Sequence, residues 1–174
     1  MTSCAGPGEN SVKTKLPNPY FQEGLDVFDK VCLVVGGGSE AVEKTDRLLR
    51  AGGRVRVVSP AVDSQLKLRV TENRIDYRAR EFCAADLEGV FLVLNTVGHD
   101  PSLAEEIFEL TRQRKILLNT YDQPQLSALG MAALVDPGHL RLSISTSNAS
   151  PALARRLRQD LEPLFDAEFV EYLE

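Results

Sequence analysis

Hydrophobic residues in this chain fall into short runs of strand length. Between the runs, apolar positions recur every three or four residues. Val31-Cys-Leu-Val-Val35 is apolar without alternation and stops at three glycines. A run of that kind predicts a strand covered on both faces, as in a parallel sheet. From Ser39 to Ala51 the apolar Ala41, Val42, Leu48 and Leu49 stand among charged residues at helical spacing, and Gly52-Gly53 supplies a stop. Val55-Arg-Val-Val58 predicts a second strand, so strand, glycine turn, helix and strand follow within the length of one β-α-β unit. The rhythm then repeats. Leu66 to Glu72 is helical, Arg74 to Tyr77 a third strand, and Val90 to Leu94 a fourth. Pro101 opens a helix with Leu103, Ile107, Phe108 and Leu110 as its buried stripe, and Ile116 to Leu118 is a fifth strand. Repeated β-α-β order predicts an α/β fold with a doubly wound parallel sheet.

After Pro124 the pattern changes. Met131 to Val135 and Leu140 to Ser145 are strand-like, and Asp136-Pro137-Gly138-His139 between them is too short for a parallel crossover. A last helix is expected from about Ser150 to Phe165, with Pro151 in its first turn. The chain therefore divides near Asp122. A polar leader over residues 1–20 precedes a nucleotide-binding part, residues 21–122, and a smaller strand-strand-helix region, residues 123–174.

Composition narrows the function classes. The formal net charge of -5 argues against nonspecific binding to nucleic acid, which needs a basic face. No apolar run is long enough to cross a bilayer, so no membrane partner is expected. Met1 to Lys15 lacks the basic-then-apolar order of a signal peptide and reads as a disordered leader of a cytoplasmic protein. Cys4, Cys32 and Cys83 have neither disulfide nor metal-ligand spacing, and Cys32 reads as buried filler. His99 and His139 fall in predicted loops without a partner histidine, and no protein-built metal site is visible.

The candidate chemistry begins at Gly36-x-Gly38-x-x-Ala41. The first glycine permits a tight turn, the second lets backbone approach a pyrophosphate, and the small third position brings helix close to strand. Because the pattern follows a strand and opens a helix, it marks a Rossmann-type dinucleotide site with the phosphates at the helix N-terminus. The cofactor site is assigned to Gly36, Gly37, Gly38, Ser39, Glu40 and Ala41, to Ser59, Pro60 and Ala61 after the second strand, and to Asn95 and Thr96 after the fourth. The acidic residue that usually ends the second strand is replaced by Ser59, so this position does not decide NAD against NADP. Asp122 follows the fifth strand, on the side where such sheets bind ligands. It is either an acid/base group beside the nicotinamide or a turn former before Pro124. Ser150 is a helix N-cap, and Arg155 and Arg156, a turn further on, are either contacts for an anionic ligand or solvated.

Several segments in order give the chain a family resemblance. They are Leu25-Asp-Val-Phe28, Val34-Val-Gly-Gly-Gly38, Glu43-Lys44, Val57-Val-Ser-Pro60, Arg80-Glu-Phe82, Phe91-Leu-Val93, Asn119-x-x-Asp122, Ile144-Ser-Thr146 and Ala149-Ser-Pro-x-Leu-Ala-Arg155. From about Phe21 to Phe165 the chain resembles the precorrin-2 dehydrogenases, including the N-terminal part of siroheme synthase. The resemblance implies oxidation of precorrin-2 to sirohydrochlorin with hydride passing to NAD. It also implies a homodimer built through a strand-rich dimerisation region and, in some members, insertion of ferrous iron as a co-substrate. It makes Asp122 the acid/base residue and places Thr146, Ser147, Asn148, Ser150 and Arg155 at the tetrapyrrole. Departures fall on the crevice side. Ser147-Asn148 stands where the family has two glycines, Asn95-Thr-Val-Gly-His-Asp100 replaces an Ala-Thr-Asp-Asp type turn, and Leu129-Gly-Met-Ala132 replaces Phe-x-x-Pro. These departures motivate the alternative of a non-catalytic NAD- or tetrapyrrole-binding module, a sensor or assembly partner.

Overall fold

A computed structural model describes residues 21–138, 140–147 and 149–172. The expected leader, His139 and Asn148 lie outside the described residues. Five parallel strands form the centre: β1 (Val31–Val35), β2 (Arg54–Val58), β3 (Ile75–Arg78), β4 (Leu92–Asn95) and β5 (Leu117–Thr120), in the order β3-β2-β1-β4-β5. β1 is the middle strand. Its residues from Cys32 to Val35 are buried, which accounts for an apolar run without alternation. Alternate side chains feed two cores. Cys32, Val34, Val57 and Leu94 pack with Ala41, Val42 and Leu48 of α1 (Ser39–Arg50) and Leu66 of α2 (Ser64–Thr71). Leu33, Val35, Val58, Val93 and Leu118 pack with Ile107 of α3 (Pro101–Arg114). Helices on both faces make the sheet doubly wound, a Rossmann-type fold. Burial pushes the Cys32 thiol up to about 11, so it stays protonated and inert, as expected of core filler.

From β1 the chain winds outward to β2 and β3, then returns to β4 on the other side. The reversal opens a crevice at the carboxyl ends of β1 and β4, where ligands bind in open α/β sheets. Past β3 a short 3-10 turn, Ala84–Leu87, carries a feature absent from the sequence reading. Asp86 is fully buried there, bound by Arg78 at 2.6 Å and by Arg80 at 2.7 Å through each carboxylate oxygen. The Cys83 N–H adds a third donor at 3.0 Å.

Beyond β5 the chain doubles back. The N–H groups of Ala128 and Leu129 both donate to the Leu118 carbonyl, and Leu129 and Met131 pack against the core on the α1 side. An antiparallel pair follows, β6 (Ala133–Val135) and β7 (Leu142–Ile144), then α4 (Pro151–Leu161). The paired strands are shorter than expected, because the hydrogen-bonded ladder spans only three residues on each side. The last helix also ends early. Pro163 has no N–H to continue the ladder, so a 3-10 turn, Glu162–Leu164, breaks it before α5 (Ala167–Tyr172). Among the described residues no helix is long and apolar enough to cross a membrane.

Candidate functional site

The three glycines after β1 have three different tasks. Gly36 has φ +112°, a conformation that side-chain-bearing residues rarely adopt, and a Cβ there would collide with the Thr96 side chain. Gly37 is pressed against the backbone carbonyl of Ala61, and its own carbonyl accepts from Asp63 N at 2.8 Å, so the loop after β2 is fastened to the turn. Gly38 differs: a Cβ there would meet nothing within 4 Å. It is the N-cap of α1 and provides no side-chain cap, which leaves the N–H groups of Ser39, Glu40 and Ala41 without capping partners among the described residues, beside open space. Uncapped donors at a positive helix end, facing room kept clear by a missing Cβ, fit a pyrophosphate.

The contrast gives a clean test. Gly38→Ala should melt like the parent yet bind NADH about tenfold or more weakly. Gly37→Ala should lower the melting temperature as well, because its methyl displaces the Ala61 backbone. Thermal melts and fluorescence titration with NADH read both. An unchanged NADH affinity in Gly38→Ala would remove the pyrophosphate from this turn.

The crevice itself has a volume of about 510 Å³. Gly36 to Glu40 form one wall, Thr96 to His99 the opposite wall, and Tyr121, Asp122 and Gln123 close the end. Thr96 is anchored to the end of β1, with its N–H and Oγ1 donating to the Val35 carbonyl at 2.9 and 2.8 Å. Asn95 is buried beside this wall. Its Oδ1 accepts from Val97 N at 3.0 Å, and its Nδ2 has no hydrogen-bond partner among the described residues. An orphaned buried donor is costly, and Asn95 is not among the residues that line the crevice. The Gln123 side-chain amide donates to the Gly98 carbonyl and ties the end wall to the Thr96 loop.

A second, larger cavity of about 1120 Å³ adjoins the crevice, and the two share Glu40, Tyr121, Asp122 and Gln123 as lining. Asp122 therefore sits at the neck between them. Its φ is +56°, a left-handed conformation that Asp and Asn tolerate better than most residues. The turn uses its backbone, and its carboxylate makes no hydrogen bond among the described residues. The Tyr121 phenol is raised above its ordinary range, first by the Glu40 carboxylate, then by partial burial and by Asp122, with Arg155 pulling the other way.

The other sequence-selected residues are placed as follows. Ala41 is fully buried and lets α1 approach the sheet. Ser59 is nearly buried and donates its hydroxyl to Ala61 O at 2.7 Å; with Pro60 and Ala61 it backs the glycine turn and does not line the crevice. The Thr146 hydroxyl accepts from Ser150 N at 3.1 Å, and Ser150 Oγ caps α4 at Leu153 N, so both are engaged in starting that helix. Ser147 has φ +53° at a position where the family has glycine. Of Thr146, Ser147, Ser150 and Arg155, expected at the tetrapyrrole, only Arg155 borders the larger cavity. Val97, Gly98, His99, Tyr121 and Gln123 were missed in the sequence reading. The strand-end rule that selected Asp122 would have found them, applied to its two neighbours after β5 and extended to the loop after β4.

The family model for NAD(P)-binding proteins (NAD_binding_7) matches residues 24–133, which contain both walls of the crevice and Asp122. The chain belongs to this NAD(P)-binding family. A nicotinamide dinucleotide is accordingly its cofactor. The chain is 34% identical over 150 residues to the siroheme synthase of Thioalkalivibrio sulfidiphilus, which covers 86% of this chain and 30% of that protein. To siroheme synthase 2 of Yersinia pestis it is 37% identical over 145 residues, 83% of this chain and 30% of that protein. It thus spans less than a third of the length of these relatives. A solved structure of SirC, precorrin-2 dehydrogenase, superposes with a TM-score of 0.72 at 25% identity, covering 88% of this chain and 75% of that one.

Proposed function

We propose that this chain is a precorrin-2 dehydrogenase that oxidises precorrin-2 to sirohydrochlorin in siroheme synthesis, with NAD as hydride acceptor. The observation that carries this reading is Asp122 at the neck, its carboxylate uncommitted, between a dinucleotide crevice and a cavity large enough for a macrocycle. Relatives named siroheme synthase and the structural likeness to a precorrin-2 dehydrogenase support the choice of substrate.

The roles of the chain's residues follow from the site. The uncapped N–H groups of Ser39 to Ala41 hold the pyrophosphate, and Thr96 to His99 enclose the nicotinamide half. Bound NAD supplies the hydride acceptor. Asp122 accepts the proton released from the macrocycle as the hydride leaves, which balances the loss of two hydrogens from the substrate. Arg155 meets a substrate carboxylate at the edge of the larger cavity.

NAD is favoured over NADP by what surrounds the end of β2. Ser59 N donates to the Arg78 carbonyl at 3.2 Å, which sets the end of β3, the strand that carries Arg78, beside the end of β2. The Arg78 and Arg80 guanidinium groups are both bound to Asp86, and a 2′-phosphate would compete with that buried carboxylate. Self-association is supported by Leu153, Leu157 and Leu164, exposed along α4 and the turn after it. The same reading keeps the protein in the cytoplasm and leaves ferrous iron as the further co-substrate of a chelatase step. Among the described residues no group of three His, Cys, Asp or Glu side chains is disposed to hold a metal.

The deciding experiment is anaerobic NADH formation with freshly generated precorrin-2, against controls lacking protein and with NADP in place of NAD. Precorrin-2-dependent NADH together with sirohydrochlorin is the expected result, and sedimentation of the same preparation should give a dimer mass. NADH binding without turnover would favour the non-catalytic module instead.

A further inference from the structure

The larger cavity runs beside α1, and the wall that α1 presents to it carries three cations and one carboxylate beyond its first turn. Lys44, Arg47 and Arg50 border the cavity, with Glu40 and Glu43 as the acidic residues of α1 there; of these, Glu40 and the three cations form one row. At 100° per residue these four positions lie within about 120° of the helix circumference, a single face. From Glu40, which shares the neck with Asp122, to Arg50 the helix rises about 15 Å. The cavity therefore has a reactive end and a cationic end. Their separation is comparable to a tetrapyrrole macrocycle with its carboxylate arms.

The row is not equally committed along its length. Lys44, mostly buried, lies 3.5 Å from Glu40 and 3.3 Å from Glu43. Arg47 shares Glu43 at 3.5 Å, so one carboxylate serves two cations. Arg50 forms no ion pair among the described residues. Arg158, on the α4 side of the same cavity, reaches Glu162 only at 3.5 Å. Along α1, charge availability thus increases away from Asp122. A protein with formal net charge -5 repels a polyanion at long range, so a local cationic strip is needed to bring one in.

We propose that Arg47 and Arg50 form a docking row for the peripheral carboxylates of the macrocycle whose reacting edge lies at Asp122. This rests on the reading above and deepens it, because the row identifies the ligand class as an elongated polycarboxylate. The planar fork of arginine suits bidentate contact with carboxylates, and the exposed Arg50 and partly exposed Arg47 remain open to exchange partners. Contacts this far from the reacting bond are formed equally in ground and transition states, so they act on KM and leave kcat unchanged.

Direct titration of the purified full chain with sirohydrochlorin, followed by absorbance, tests the row independently of turnover. Arg50→Gln should weaken sirohydrochlorin about five- to tenfold, and Arg47→Gln combined with Arg50→Gln by a further several-fold. Arg50→Lys should recover part of the loss. NADH affinity should not change, and added NaCl should weaken the parent more steeply than the double variant. Arg112→Gln, on the far side at α3, serves as a control with parental binding. Sirohydrochlorin affinity unchanged in the double variant would overturn the row. Binding by the parent without turnover of precorrin-2 would overturn the dehydrogenase reading and leave the row standing. A parent that binds no sirohydrochlorin would overturn both.

Discussion

Asp122→Asn will reduce kcat for precorrin-2 oxidation about a hundred- to ten-thousand-fold, the range that a positioned acid/base group contributes. NADH affinity will stay within about twofold of the parent, because the pyrophosphate turn lies across the crevice from this residue. The substitution is well matched to its site. Residue 122 has φ +56°, and Asn occupies that conformation as readily as Asp. The backbone turn and its Gln123 N to Thr120 O bond therefore survive, and only proton-accepting capacity is lost. Asp122→Ala confounds the two by adding backbone strain. Single-turnover absorbance and NADH titration separate chemistry from binding, and a variant that keeps parental kcat would show Asp122 to be a turn residue alone.

Asp86→Ala will destabilise the fold by about 2–4 kcal/mol, read by urea denaturation at neutral pH. The figure is set below that for a wholly buried ion pair because Arg78 and Arg80 are partly exposed and rehydrate when released. Burial alone would raise the Asp86 pKa. Hydrogen bonds from Arg80, from the Cys83 backbone and from Arg78 outweigh it and hold the carboxyl well below the usual carboxylate range. The pH dependence has a definite sign. A depressed folded-state pKa gives stabilisation that is complete above the unfolded value of about 3.9 and is withdrawn as pH falls through the folded one. The parent should therefore lose this contribution only below about pH 4, and Asp86→Asn should flatten that part of the acid limb. An acid limb identical in parent and variant would mean that other carboxylates carry it.

Much of the fold was legible in the chain itself. The continuous run at Val31 to Val35 predicted a strand covered on both faces, and the strand order then made it the central one. The glycines after it predicted a tight turn opening a helix, and Gly36 has the positive φ that such a turn requires. Element ends were less legible. Val90 and Phe91 are as apolar as Leu92, and only the register with β1 shows that the ladder starts at Leu92. The helix after Pro151 ended at Pro163 because a missing N–H outweighed the apolar pattern that continued to Phe165.

What the sequence determined by itself is what short-range physics controls: hydrophobic period, the conformational freedom of glycine, helix caps and the order of β-α-β units. Those were enough for a Rossmann-type sheet, for the crevice at its reversal and for Asp122 at a strand end. Only the tertiary structure decided which groups were already committed and which were left over. Ser59 spends its proton on Ala61, Arg78 and Arg80 are bound to Asp86, and Thr146 and Ser150 are used in starting α4. Among the described residues Asp122 and Arg50 make no ion pair, and both line the larger cavity. The reason is physical: commitment depends on neighbours within a few ångströms, and the fold draws those neighbours from positions far apart in the chain.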